Sequence, residues 1–312
     1  MAKRKIEPVF IILASMIAIM SVISPAFRTA DNIGNVIVQV IPLAIASVGQ
    51  TFAVLSAGID LSTGSVISLT TAIASVTMGV GGTIGIIKGL FLVMAMGAGV
   101  GLLNGMAVSR LSMPPMMATI AMSTVLQGVT FRLRPAPGGF VPAEYANVVT
   151  ARAGLLSVPL MILVVAGAAA TYVMRDTAFG KHLYAVGENR KVARSMGVNT
   201  GKVTVKAYSL CAILACLSGL ILTGRIRTGD PVIGVPFGLD SVTAVVIGGT
   251  TLSGGRGNAL GSVAGAFIIG MLSNILNLVG VSSFYQYVLK GALLIIAMIV
   301  YSLTSEKGAS AR

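Results

Sequence analysis

The sequence has 312 residues, of which 55% are hydrophobic and only 10% charged, and its mean hydropathy is +0.93. A soluble globular chain carries about 25% charged residues, so this composition excludes a soluble domain and describes a polytopic membrane protein. The net charge of +13 comes mostly from short segments between apolar runs, without aromatic interleaving. That placement excludes nucleic acid as a partner and fits orientation in a bilayer, with membrane lipid around the chain.

A crossing needs about 20 apolar residues. In chain order the runs are 8–27, 35–57, 83–109, 114–131, 155–174, 204–224, 258–279 and 285–303. Two shorter, polar-speckled stretches, 62–79 and 238–252, raise the number from eight to ten. With the Lys3-Arg4-Lys5 end in the cytoplasm and ten crossings, both termini are cytoplasmic. Arg28, Lys88, Arg132, Arg134, Arg152, Arg225, Arg227 and Lys290 then fall outside, and the other fourteen of the 22 Lys and Arg inside. This is the direction that charge asymmetry requires, although eight crossings preserve it too. Ser24-Pro25-Ala26 loosely resembles a processing site, but with so many runs following, the first reads as a retained anchor.

The first interruption is Gly58-Ile59-Asp60-Leu61-Ser62-Thr63-Gly64-Ser65, continuing to Thr70. A carboxylate at a helix centre costs about 2.5–3.5 kcal/mol on insertion, whereas at a helix start it accepts from free backbone N–H groups. Asp60 therefore reads as the N-cap of a broken helix. Ser62, Ser65 and Thr70 read as the wet face of that helix, lining a polar pathway. Further on, Gly97, Gly101 and Gly105 recur at a spacing of four, as do Gly257, Gly261 and Gly265, the pattern of close helix packing in lipid. Asn104, Asn274 and Asn277 sit near those faces and read as hydrogen bonds between helices before contacts to a solute.

The segment 175–203 is the longest polar loop. Within it Glu188–Met196 reads as a short helix, Gly197 as its C′ residue, and Val192 and Met196 as a face offered to a partner. Cys211 and Cys216 are five residues apart on one helix, which points to neither a disulfide nor a metal site. The lone His182 has no ligand cluster beside it. Gly238-Leu239-Asp240-Ser241-Val242-Thr243 repeats the Gly-aliphatic-Asp pattern before a second short apolar helix. Asp60 falls at the inner junction of crossings two and three, and Asp240 at the outer junction of seven and eight. Such matched interruptions describe a five-plus-five inverted repeat with broken helices, with halves 1–154 and 155–312 in a single transmembrane domain.

No phosphate-binding loop of the G-x-x-x-x-G-K-[ST] type and no catalytic constellation is present. The chain reads as a transport subunit without an ATPase motif or cofactor of its own. Several motifs resemble the bacterial ABC-transporter permeases for ribose and related monosaccharides. They are Gly58-Ile59-Asp60-Leu61-Ser62 with Gly64-Ser65, Gly101-Leu102-Leu103-Asn104-Gly105, Ala118-Thr119-Ile120, Leu239 to Thr250, Leu252-Ser253-Gly254-Gly255-Arg256-Gly257 and Leu276 to Gln286.

The resemblance implies an all-α inner-membrane permease working with a second permease copy or a paralogue. ABC ATPase subunits would consume the ATP, and a periplasmic sugar-binding protein would deliver the solute. It further implies that Gly180, Tyr184, Gly187, Asn189, Ala193 and Gly197 form the segment that contacts the ATPase. Asp60, Ser62, Ser65, Thr70, Asn104, Thr119, Asp240 and Thr243 are the pathway or gate candidates. The chain departs from the family where Glu-Ala-Ala-like residues give way to Asn189-Arg190-Lys191-Val192-Ala193, where Glu-Leu-Asp becomes Gly238-Leu239-Asp240, and where Ile-Ala-Ala becomes Val242-Thr243-Ala244. These departures bear on the ATPase contacts and on the sugar chosen among ribose, xylose, galactose, inositol and similar polyols. An ion-coupled secondary transporter of a small polar solute and a non-transporting scaffold are the alternatives.

Overall fold

The computed structural model describes residues 8–23, 25–154, 156–282, 284–286, 288–292 and 295. The Lys3-Arg4-Lys5 end, Ser24, most of the 285–303 run beyond 292, Lys307 and Arg312 lie outside them. The helices are α1 (Pro8–Ile23), α2 (Ala30–Leu55), α3 (Thr63–Thr77), α4 (Gly82–Ser109), α5 (Pro115–Leu133), α6 (Ala143–Thr150), α7 (Val158–Asp176), α8 (Ala178–Glu188), α9 (Arg190–Ser195), α10 (Thr200–Ile226), α11 (Phe237–Ile247) and α12 (Ala259–Leu278). Residues 284–286 and 288–292 are again helical. Each of the ten apolar stretches thus carries a helix, including the two short ones. Five of them (α2 from Asp31, α4, α7, α10 and α12) are long and apolar enough to cross a membrane alone. The all-α reading needs one amendment, an antiparallel pair of two-residue strands at Arg152–Ala153 and Leu156–Ser157.

Side chains set the helix ends. Asn199 accepts from Lys202 N at 2.9 Å, Thr177 from Gly180 N at 3.1 Å and Asn258 from Gly261 N at 2.7 Å, each satisfying a donor that the first turn leaves free. Large apolar side chains stay exposed on the outside of the bundle, among them Ile12 and Ile19 on α1, Phe91 on α4 and Val164 and Val165 on α7. A hydrocarbon surrounding accounts for them.

The centre of the bundle is the antiparallel pair α2–α10. Ser218 Oγ donates to Pro42 O at 2.7 Å, and seven residues later along α2 Gly49 lies against the Cys211 backbone. Around this pair the contacts exchange between halves. α4 packs on α10 as α12 packs on α2, and α3 meets α10 as α11 meets α2, while α3–α4 answers α11–α12. Because α2 and α10 run in opposite directions, the two halves are inverted relative to one another, which supports the repeat expected from the interruptions. Gly97, Gly101 and Gly105 do face α10, and a Cβ at Gly105 would come within 2.5 Å of Val205 Cα. Gly261 and Gly265 likewise face α11. Gly257 does not belong to that stripe, since it precedes α12 and has φ +140°. Asn274 Nδ2 donates to Asn32 Oδ1 at 3.0 Å, joining α12 to α2. Cys211 and Cys216 are free and buried, the first against Gln50 and Thr63, the second against α4.

Candidate permeation site

The interruption after α2 is a buried knot tied by four helices. The backbone turns at Ala57, whose φ is +59°, and Gly58 leaves no space for a side chain because the Tyr208 hydroxyl of α10 stands there. Asp60 is 1% exposed. Its Oδ1 accepts from Ser62 N at 2.9 Å and from Ser62 Oγ, an Asx turn that replaces the missing helical bonds. Asn104 of α4 donates to Ser62 Oγ at 2.9 Å. Thr119 of α5 accepts from Leu61 N at 3.1 Å and lies 3.1 Å from Ile59 O. Gln50 of α2, with its amide oriented to suit its neighbours, donates to Asp60 O at 3.1 Å and accepts from Asp60 N at 3.0 Å. Buried backbone polar groups need partners, and here side chains of the surrounding helices supply them.

These positions amend the expectations in three ways. Asp60 is not the N-cap of α3. Ser62 holds that position, and its hydroxyl makes no capping bond because Asp60 and Asn104 engage it. Ser62, Ser65 and Thr70 are all buried and do not form one wet face. Thr70 packs instead on Gly219 of α10, about 140° around the helix from Ser65 at 100° per residue. Thr243 is also buried, and its hydroxyl donates back to Leu239 O at 2.9 Å. Asn104 and Thr119 hold the turn, as hydrogen bonds between helices would.

Ser65 does reach a cavity. A groove of about 530 Å³ runs between α3, α5 and the segment 232–235. Ser65, Ser123, Thr124 and Gln127 give it hydroxyl and amide groups, and no charged side chain lines it. Ser65 Oγ and Ser123 Oγ are 2.7 Å apart. The segment 229–235 forms its roof, held by Gly234 N donating to Ser68 Oγ at 2.9 Å, Asp230 N to Thr71 Oγ1 at 3.1 Å and Gln127 Nε2 to Pro231 O at 2.8 Å.

The 175–203 segment folds into two short helices where one was expected. Asn189 is the N-cap between them, accepting from Lys191 N and Val192 N at 3.0 and 3.1 Å, so the second helix starts at Arg190 and not at Glu188. Gly197 ends it with φ +84°, as the C′ position requires. Ala193 is buried, while Val192 and Met196 are 55% and 79% exposed.

The unanticipated helix is α8. Gly180 packs against the carbonyl groups of Val173 and Met174, and Gly187 against Leu55 O and Gly255 N. Tyr184 donates to Gly257 O at 2.8 Å. Burial raises its phenol above the ordinary range, with Arg175 opposing, so it remains a neutral donor. Gly255 N also donates to Leu55 O at 3.2 Å, and Gly254 touches Ala57. α8 therefore rests on the last residue of α2 and on the turn 254–257, two residues ahead of the Asp60 knot.

Asp240 differs from Asp60. It lies inside the first turn of α11, not before the helix, and its Oδ2 accepts from Lys290 Nζ at 2.7 Å. The pair borders a cavity of about 390 Å³ with Gln39, Arg225, Ser273 and Gln286. Sequence reading missed Gln50, Tyr208, Ser123 and Gln127. Gln50 and Gln127 stood out as amides in apolar runs, and Tyr208 carried no such signal. The Gly254-Gly255-Arg256-Gly257 turn was visible as a motif, but its role as the seat of α8 was not.

A chain with interrupted helices, an inverted repeat and an uncharged groove carrying hydroxyl and amide groups is a membrane transport subunit. Residues 32–298 match the family described as branched-chain amino acid transport system / permease component. The ribose import permease protein of Haemophilus influenzae is 37% identical over 295 residues, covering 93% of this chain and 91% of the relative. That of Bacillus subtilis is 37% identical, with 95% and 92% covered. The xylose transport system permease protein of Escherichia coli is 28% identical, with 96% and 93% covered. No solved structure matches. The chain belongs to this permease family of ABC transporters and is a multi-pass inner-membrane protein of the monosaccharide-import type.

Proposed function

We propose that the chain is the translocating subunit of an importer for a monosaccharide or related polyol. A periplasmic binding protein delivers the solute, and separate ATPase subunits move the permease. The α8–α9 end of the bundle faces the cytoplasm, and a second permease copy or a paralogue completes the assembly. One observation carries this reading. α3 begins at the knot on which α8 bears, and the same helix walls the uncharged groove with Ser65.

Force applied to Gly180, Tyr184, Gly187, Asn189, Ala193 and Gly197 reaches Leu55 and the 254–257 turn, and through them Asp60, Ser62, Asn104 and Thr119. Tilting of α3 against α5 would open the groove first to one side and then to the other. Hydroxyl and amide groups suit a neutral polyol, since they exchange hydrogen bonds with it and present no charge to trap an ion. Thr70, Asp240 and Thr243 support the two short helices without touching the solute.

Reconstitution with the ATPase and the sugar-loaded binding protein tests this. ATP-dependent uptake should be lost on Gln127→Leu combined with Ser123→Leu, with the complex still assembled. Uphill accumulation by the permease alone under an ion gradient would replace this mechanism with secondary transport.

A further inference from the structure

At the α8–α9 end a cavity of about 1080 Å³ opens between the α4–α5 turn and the start of α10. Arg110, Arg190, Arg194, Lys202 and Lys206 line it, and no acidic residue does. The two ion pairs among the described residues are Arg256–Glu188 and Lys290–Asp240, so none of the five cations is neutralised by a carboxylate. Arg190 lies 3.5 Å from Thr204 Oγ1, and Lys206 sits 5.9 Å over the Phe179 ring. Neither contact removes the charge. Five cations held around one cavity repel each other unless an anion enters.

The other wall is apolar. Leu102, Met106, Met113 and Val205 line the same cavity. Leu102 lies seven residues before Ser109, about 10 Å further along α4, so the cavity extends from the rim of the bundle toward membrane depth. Leu102 is 46% exposed, which leaves this wall open to the side. A cationic rim above an apolar, laterally open wall matches an amphiphile better than an acidic protein segment, which would leave the wall uncovered. We propose that this cavity seats an anionic phospholipid, its phosphate among the five cations and an acyl chain along α4. The lipid would bridge α9 to the α4–α5 turn and to α10. Basic pockets between helices on the cytoplasmic side are suited to such headgroups.

Full-length permease in nanodiscs of phosphatidylcholine, with or without phosphatidylglycerol, tests the proposal by native mass spectrometry of retained lipid. The wild type should retain phosphatidylglycerol in preference to phosphatidylcholine. Arg110→Gln with Lys206→Gln should weaken that retention about thirtyfold, from roughly fivefold per cation. Arg110→Lys with Lys206→Arg should restore it, which separates loss of charge from loss of folding. Leu102→Trp, which fills the apolar wall, should reduce retention with every cation in place. Equal retention of both lipids by the wild type would overturn the proposal. So would binding of glycerol 3-phosphate as tight as that of the lipid, because the site would then take a free phosphate. Unchanged lipid retention in the glutamine variant, with weakened ATPase association in phosphatidylcholine alone, would assign the cavity to an acidic segment of the partner protein.

Discussion

Gly187→Ala offers the sharpest test of the link between α8 and the knot. An added Cβ meets Leu55 O on one side and Gly255 N on the other, and both are backbone atoms that no rotamer change can remove. Overpacking of this kind costs about 1–3 kcal/mol. Displacing the Gly255 N–Leu55 O bond (3.2 Å) adds about 1 kcal/mol. Alanine regains about 1 kcal/mol of helix propensity over glycine. The balance disfavours docked α8 by about 1–3 kcal/mol, which lowers its docked-to-undocked ratio by about 5- to 150-fold. Stimulation of ATP hydrolysis by the sugar-loaded binding protein should fall as the docked fraction falls, and the amides of 178–188 should exchange hydrogen faster. Gly99→Ala, on α4 and outside this segment, is the control, because no atom lies within 4 Å of its added Cβ and stimulation should persist. Full stimulation with protected α8 amides in Gly187→Ala would refute the link.

Two further substitutions probe the interrupted helices. Asp60→Asn should preserve most of the fold and transport, because the amide oxygen still accepts from Ser62 N and Oγ and Asn also supports such turns; uptake by the assembled variant checks this, and its loss would mean that the negative charge itself gates the path. Lys290→Met should lower thermal stability by about 1–2 kcal/mol by leaving the partly buried Asp240 unpaired, and adding Asp240→Asn should recover most of it, as thermal unfolding in detergent would show.

The runs long enough to cross a membrane were legible because lipid imposes length and hydropathy on every one of them. The two short helices were legible as departures from that rule. Which face each residue takes was not. α3 carries Thr63, Ser65, Ser68, Thr70, Thr71, Ser75 and Thr77, polar groups on all sides, so no 3.6-residue pattern distinguishes the groove from the α10 contact. Only packing does, and it places Thr70 and Ser65 apart. The Gly-aliphatic-Asp likeness hid a difference of partners, since Asp240 depends on Lys290, fifty residues further on. In the polar loop, Gly197 followed from a local rule. α8 was available from Phe179, Leu183 and Val186 at helical spacing, but Gly180, Lys181 and His182 between them kept this stretch in the polar loop.

That difference between the aspartates bears on where the transport stroke is absorbed. The knot before α3 is fixed by short bonds to backbone from Gln50, Asp60 and Thr119, which tolerate little sliding. The Asp240–Lys290 contact ends on a flexible four-carbon stem that can follow α11 through a shift and keep its partner. In an inverted repeat one half can then act as the lever and the other as the yielding element. The lever is the half that holds the Asp60 turn, which α8 meets through Leu55. On ATP binding to the assembled complex, the amides of 58–66 should keep their protection while those of 237–247 change theirs. The reverse pattern, exchange gained at 58–66 with α11 unaltered, would make the knot a hinge and would undo the assignment of rigidity to the Asp60 turn.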